Sequence, residues 1–324
     1  MVAVAGAPGQ WVAVEQRDLG PSFRSRLWFS EDGVEWAEAE IGRMAGADLS
    51  IEDVTEAGPG FVAVGTASGA DPTNPSGVIL TSADGRAWRH PPLGSEVVGH
   101  AYLASISAGE GGPLVVGSRV DGNSLLLGSR DGVDWNRRED TLLMDANITD
   151  VEWVKGRLVA VGSEGNIASA WTSTGGQDWV FHEVGTAGRV THVGRLVQGQ
   201  YGLLAIGHDA GRCAGSCPGV ATAWRSVNGD VWERTPDNAE VLVSEAISPA
   251  GGAGFAAVGD GQAWTSADGY SWTLAEAVHA PEGARVTDVS VVGDQLVAVG
   301  EVTDLAGNAR PWVGHATVVE RPLE

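Results

Sequence analysis

Three sets of residues have the types and spacing to do chemistry. Cys213 and Cys217 stand four apart in the glycine-rich run GHDAGRCAGSCPG, Gly207 to Gly219, and no other cysteine occurs in the chain. A local Cys213–Cys217 disulfide is the most economical reading, and it would point to an oxidising compartment. His208 and Asp209 would complete a set of four metal-ligand types, although the spacing matches no familiar zinc pattern. Two free thiols are the third alternative.

The second set is a series of polar residues placed near the start of successive apolar segments, mostly beside Val or Ile: Asp53, Ser105, Asp150, His192, Glu245 and Asp288. Clustered carboxylates must pair, bind a cation or shift their proton affinity. If the fold brings these residues together, two readings stand. Each side chain caps a neighbouring backbone, or the set forms a site for a polar ligand or a cation such as calcium. Arg189 and Arg285 lie three residues before His192 and Asp288 and could neutralise such a ring. No dedicated cofactor is expected.

The third set is the carboxylates of a recurring S-x-D-G-x-x-W pattern, at Ser30–Trp36, Ser82–Trp88, Ser129–Trp135 and Ser266–Trp272, with degenerate copies at Ser173–Trp179 and Ser226–Trp232. Asp-Gly between extended segments is a hairpin signal, because Gly accepts the positive φ that the turn needs. A Ser hydroxyl and an Asp or Asn side chain can hold backbone N–H groups inside such a turn. Asp32, Asp84, Asp131, Asn228 and Asp268 therefore read as turn clamps, not as acids or bases.

The elements that must position these residues follow from the same repeat. The closing tryptophans fall at 36, 88, 135, 179, 232 and 272, a spacing of 40–53 residues, which belongs to radial arrays. A second marker runs in phase: WVAV from Trp11, FVAVG from Phe61, LVVG from Leu114, LVAVG from Leu158, LLAIG from Leu203, FAAVG from Phe255 and LVAVG from Leu296. Seven such segments predict an all-β chain folded as a seven-bladed β-propeller of four-stranded antiparallel blades, with the Asp-Gly turns between third and fourth strands. The blades are expected at about 1–40, 41–92, 93–139, 140–183, 184–236, 237–276 and 277–324, in a single domain spanning 1–324. Trp28, Trp171, Trp224, Trp264 and Trp312, regularly placed on third strands, read as packing between blades and not as a sugar-stacking platform.

The formal charge of −22, from 42 acidic and 20 basic residues, repels phosphate backbones and argues against nucleic-acid binding. No run approaches the roughly 18–20 apolar residues of a transmembrane segment. MVAVAGAPG lacks the basic start and long apolar stretch of a signal peptide, so an exported form would already have lost its leader. An extracellular or cell-surface location and a monomeric state are expected.

The S-x-D-G-x-x-W turns resemble the Asp-box, or bacterial neuraminidase repeat, of sialidases, xyloglucan-degrading hydrolases, sortilin-type receptors and photosystem II assembly factors. The usual Asp-box has one more residue between its Asp and Gly, so this is a shortened variant. The resemblance implies a sialidase-like propeller with its turns far from the binding face. It does not carry activity: the arginine triad, Tyr–Glu pair, acid Asp and Arg-Ile-Pro segment of a sialidase have no recognisable counterparts here. Unequal loops between second and third strands, with Tyr102, Arg189, Arg285 and the polar series, place a candidate ligand site on the opposite face, at the channel mouth. Two functions follow as expectations. One is a non-catalytic recognition propeller or scaffold for a protein or glycan; the other is a glycoside hydrolase or lyase with an unrecognised carboxylate pair.

Overall fold

The computed structural model describes residues 1–18, 23–42, 48–68, 75–91, 93, 96–109, 111–138, 143, 146–185, 190–199, 202–211, 220–235, 246–249, 254–259, 262–274, 281, 284–304 and 308–317. Their named elements are all β-strands, arranged as seven antiparallel blades in chain order. Blade one holds β1 (Ala3–Ala7), β2 (Gln10–Asp18), β3 (Phe23–Ser30) and β4 (Ala37–Glu38). A short β5 (Glu40–Ile41) leads into blade two, formed by β6 (Asp48–Ala57), β7 (Gly60–Ser68), β8 (Ser76–Ser82) and β9 (Ala87–Trp88), the last held to β8 by a bridge between Thr81 and Arg89.

Blade three comprises β10 (Ala101–Ser107), β11 (Leu114–Arg119), β12 (Ser124–Ser129) and β13 (Trp135–Arg137). Blade four comprises β14 (Asn147–Val154), β15 (Arg157–Glu164), β16 (Ile167–Ser173) and β17 (Val180–Glu183). In blade five the strands are β18 (Val190–Gly199), β19 (Gly202–Gly211), β20 (Val220–Ser226) and β21 (Glu233–Arg234), and in blade six β22 (Ala246–Pro249), β23 (Phe255–Gly259), β24 (Gln262–Ser266) and β25 (Thr273–Leu274). Blade seven, expected over 277–324 with four strands, shows β26 (Ala284–Val292), β27 (Gln295–Thr303) and β28 (Ala309–Thr317) among the described residues; residues 318–324 lie outside them.

Each V-A-V-G segment forms the second strand of its blade, and most of its described apolar residues are buried between neighbouring blades. Its glycine has a steric cause. A Cβ on Gly65, Gly162, Gly207 or Gly300 would lie 1.8–2.0 Å from a carbonyl oxygen of the adjoining first strand, closer than any atoms can approach. The carbonyl is there because β6, β10, β14, β18 and β26 each carry a bulge at this level, and a bulge re-aims the side chains beyond it. In blade one β1 pairs with β2 without a register shift, and Glu15 stands where the others have glycine.

The six motif turns between third and fourth strands share a frame in which the Ser Oγ accepts the N–H of the Gly three residues on. In the first, Ser30 Oγ accepts Gly33 N at 2.8 Å, Asp32 Oδ1 accepts Val34 N and Glu35 N at 2.9 Å each, and Trp36 Nε1 donates to Gly33 O at 3.1 Å. Gly33, Gly85, Gly132, Gly176, Gly229 and Gly269 all have φ between 75° and 90°, the left-handed region that disfavours any side chain. Trp88, Trp135 and Trp179, and the third-strand Trp171, Trp224 and Trp264, are buried between blades, while Trp28 and Trp312 pack against the same cores.

Two features join blades beyond this packing. β5 leaves blade one and runs parallel to β9, with Glu40 N donating to Arg86 O at 2.8 Å and Gly42 N to Trp88 O at 2.9 Å, so the link becomes a strap on the outer edge of blade two. Between blades seven and one no strand is exchanged among the described residues: Val4, Trp11, Ala13, Val297 and Val299 pack together. Met1 N donates to Gly300 O at 2.9 Å and Thr287 Oγ1 to Met1 O at 2.7 Å.

Candidate functional site

The bulges decide which side chains reach the channel. Counting two residues past the partner of each conserved-position glycine (Ile51 for Gly65, Leu103 for Gly117, Ile148 for Gly162, Val193 for Gly207, Val286 for Gly300) gives Asp53, Ser105, Asp150, Arg195 and Asp288. These five form a polar collar. It separates a cavity of about 380 Å³ at the channel mouth, lined by Glu52, Asn147, His192 and Ser118 among others, from a channel body of about 580 Å³ lined by Thr55, Ser107, Glu152, Gln198 and Ser290.

The collar side chains stitch one blade to the next. Asp53 Oδ1 accepts Val54 N at 2.8 Å, and its Oδ2 accepts Ile106 N of blade three at 2.9 Å. Asp150 Oδ1 accepts Val151 N at 2.9 Å, and Oδ2 accepts Leu196 N of blade five at 2.8 Å. Asp288 Oδ2 accepts Val4 N of blade one at 2.9 Å, and its Oδ1 receives Arg195 at 2.6 Å from across the channel. Ser105 Oγ lies 3.0 Å from both Asp53 Oδ2 and Asp150 Oδ1, and Ser107 Oγ lies 2.7 Å from Glu152 Oε2 one step further in. The capping of neighbouring backbones read from the sequence is thus what the aspartates do.

Burial sets the electrostatics. Desolvation pushes Asp53 up to about 7, with Arg195 opposing it and the Asp288 and Asp150 charges adding to it. Glu152 is pushed up to about 8, first by burial and then by the charge of Asp150. Burial also raises Asp150, against the pull of the Leu196 N–H and of Arg195. Arg195 is held more firmly protonated than usual, chiefly by Asp288. At the mouth His192 is lowered by burial and by the facing His208, its partner across the β18–β19 pair.

Sequence reasoning placed Asp53, Ser105, Asp150 and Asp288 correctly on the channel but chose His192 for blade five. The structure corrects this: His192 lies before the bulge, in the mouth cavity, and Arg195 takes the collar position. The missed signal was Gly207, whose register identifies Val193 and hence Arg195. In blade six Ala246 pairs with Val258, the partner position of Asp53 with Val64 in blade two, so alanine holds the equivalent place; Glu245, expected there, lies outside the described residues. Arg285 is exposed and lies 3.3 Å from Glu301; among the described residues the cation that lines both cavities at the collar is Arg195. Tyr102 sits on β10 with its side chain about half exposed. Arg189, Cys213 and Cys217 lie outside the described residues. No group of three His, Cys, Asp or Glu able to hold a metal occurs among the described residues, and no helix among them is long and apolar enough to cross a membrane.

No family model and no curated protein sequence matches this chain. Its likeness is to solved structures. Virginiamycin B lyase from Staphylococcus aureus superposes with a TM-score of 0.64 at 10% identity, covering 98% of this chain and 94% of the lyase. The shared property is the propeller fold. A protein of unknown function from Dyadobacter fermentans gives 0.52 at 14% identity with 98% and 94% coverage. Trypanosoma rangeli sialidase gives 0.50 at 12%, covering 97% of this chain and 54% of the sialidase. The fold is therefore a β-propeller, similar in architecture to that lyase and that sialidase.

Proposed function

We propose that this protein is a non-catalytic recognition propeller, a scaffold that binds a protein or glycan partner through its channel-mouth face. One observation carries the reading. The mouth cavity is large enough for a side chain or a single sugar, and its floor is a collar whose aspartates are engaged with backbone donors. Groups so engaged make a rigid floor, and rigidity lowers the ordering cost of binding. Glu52 and the ionised fraction of Asp53 and Asp150 outweigh His192, whose protonation burial opposes, while Arg195 is drawn toward Asp288, so cationic groups are preferred over anions, increasingly so as pH rises. The reading requires no cofactor. It takes the strand-joining turns as shortened Asp-boxes and the molecule as a monomer at or outside the cell surface.

A second reading rests on Glu152. A carboxyl held neutral at pH 7 beside a second buried carboxyl, Asp150, facing a 580 Å³ cavity, has the makings of an acid and base pair for a glycoside hydrolase or lyase. A glycan array and a chromogenic-glycoside panel, run side by side on the wild type and Glu152→Gln, separate the two. Binding without turnover in both proteins supports recognition; turnover abolished by the substitution supports the enzyme.

A further inference from the structure

The hydrogen count at the collar is one short. Ser105 Oγ is 3.0 Å from a carboxyl oxygen of Asp53 and 3.0 Å from one of Asp150, yet a hydroxyl carries a single hydrogen. If it donates to one aspartate, a lone pair faces the other, and that second contact is attractive only when the carboxyl itself supplies a proton. A second serine–carboxyl rung, Ser107 with Glu152, crosses the same seam from β10 to β14. The two rungs, with Ile106 N on Asp53 and Leu196 N on Asp150, tie blades two, three, four and five together along the channel.

We propose that the Asp53–Ser105–Asp150 bridge and the Ser107–Glu152 rung form a proton-operated latch, closed when the bridge holds its extra proton and loosened along the seams of blades two to five when that proton leaves. Among the described residues, the charged and titratable groups facing the latch are Glu52, Asp53 and Glu56 from β6, Asp150 and Glu152 from β14, His192 and Arg195 from β18, and Asp288 from β26. The segments of β1 and β22, and the serines of β10, add none. Arg195 is paired with Asp288 at 2.6 Å and offsets charge on Asp53 and Asp150 only in part, the balance at both aspartates staying upward. The raised proton affinities of Asp53, about 7, and Glu152, about 8, put the release near neutral pH. The sign follows from linkage: the folded chain holds protons that the unfolded chain has already lost, so stability is full below the ordinary carboxyl values and declines as pH rises through 7 and 8.

The test uses the whole chain. The thermal midpoint is measured from pH 5 to 9, alongside hydrogen exchange of the Ile106 and Leu196 amides. The midpoint should fall by several degrees over that range while exchange of both amides, corrected for the intrinsic pH effect, accelerates at least tenfold. Asp53→Asn/Glu152→Gln, which mimics the protonated pair, should flatten both profiles. The infrared carbonyl band of protonated carboxyls in the wild type, present at pH 6 and absent at pH 9, reads the latch directly without a variant. A flat wild-type midpoint, a double variant that keeps the full slope, or no protonated-carboxyl band at pH 6 would overturn the proposal.

Discussion

Asp131 in a turn and Asp150 in the collar accept matched sets of donors. Asp131 takes the N–H groups of Val133 and Asp134 and the hydroxyl of Ser129; Asp150 takes those of Val151 and Leu196 and faces the hydroxyl of Ser105. The first is exposed, and its backbone hydrogen bonds, led by that from Asp134, hold it below the ordinary carboxylate range. The second is 7% exposed, and burial lifts it above that range. Capping geometry alone therefore does not set the charge state: water decides it. The turn uses an ionised clamp at every pH near neutrality, whereas the collar uses clamps whose ionisation opposes the fold.

The comparison can be broken most forcefully at the bulge that builds the collar. Gly162→Ala places a Cβ 2.0 Å from Asn147 O, so the bulge must shift; a loss of about 3–5 kcal/mol or failure to fold is expected in urea titrations. Gly175→Ala in a turn, where a Cβ meets nothing within 4 Å, should stay within about 0.5 kcal/mol. Equal losses would mean that bulge and turn are equally tolerant.

Removing the carboxylates comes next in size. Asp150→Ala orphans the buried Leu196 N–H and should cost roughly 2–4 kcal/mol, while Asp268→Ala, whose turn amides of Tyr270 and Ser271 reach water, should cost roughly 1–3 kcal/mol and leave ligand affinity unchanged. Loss of binding in a folded Asp268→Ala protein would move the functional site to the turn face.

Acid sharpens the contrast with a smaller effect. Asp32, Asp131 and Asp268 are all lowered from 3.8; in Asp268 burial acts against the hydrogen bonds, and the balance is still downward. Their contribution is complete above the unfolded value and lost as pH falls through the folded ones, so the urea midpoint should drop on going from pH 5 to pH 3. A rise over that interval would mean that the collar, not the turns, dominates there. The smallest expected effect is that of Arg285→Gln, below about 0.5 kcal/mol, because its side chain is 62% exposed and ion pairs made by so exposed a group contribute little.

The propeller was legible because its two markers have separate steric causes, the glycine under each bulge and the positive-φ glycine of each turn. The collar was legible only in part. Asp53, Asp150 and Asp288 could be read from composition near each first strand, but a bulge inserts one residue and reverses the side-chain alternation beyond it. His192 lies ahead of that bulge, three residues before Arg195, and Glu245 lies outside the described residues. The Glu152 environment depends on Ser107 and Asp150 from the seam between blades three and four, a tertiary fact with no local signature. The β5 strap is two residues long, too short for any periodicity to reveal.

That strap and the seam closing the ring differ in the length of chain that must be brought together. The strap pairs Glu40 with Ala87, while the closing bonds join Val4 to Asp288 and Met1 to Gly300. Loop-closure entropy grows with the intervening chain, and distant contacts form slowly. Blades one and two can thus assemble as an early pair fastened on the outside, and the first strand waits for the seventh blade. The order of folding is written in where each fastening lies along the chain: the outer strap early, the inner seam last.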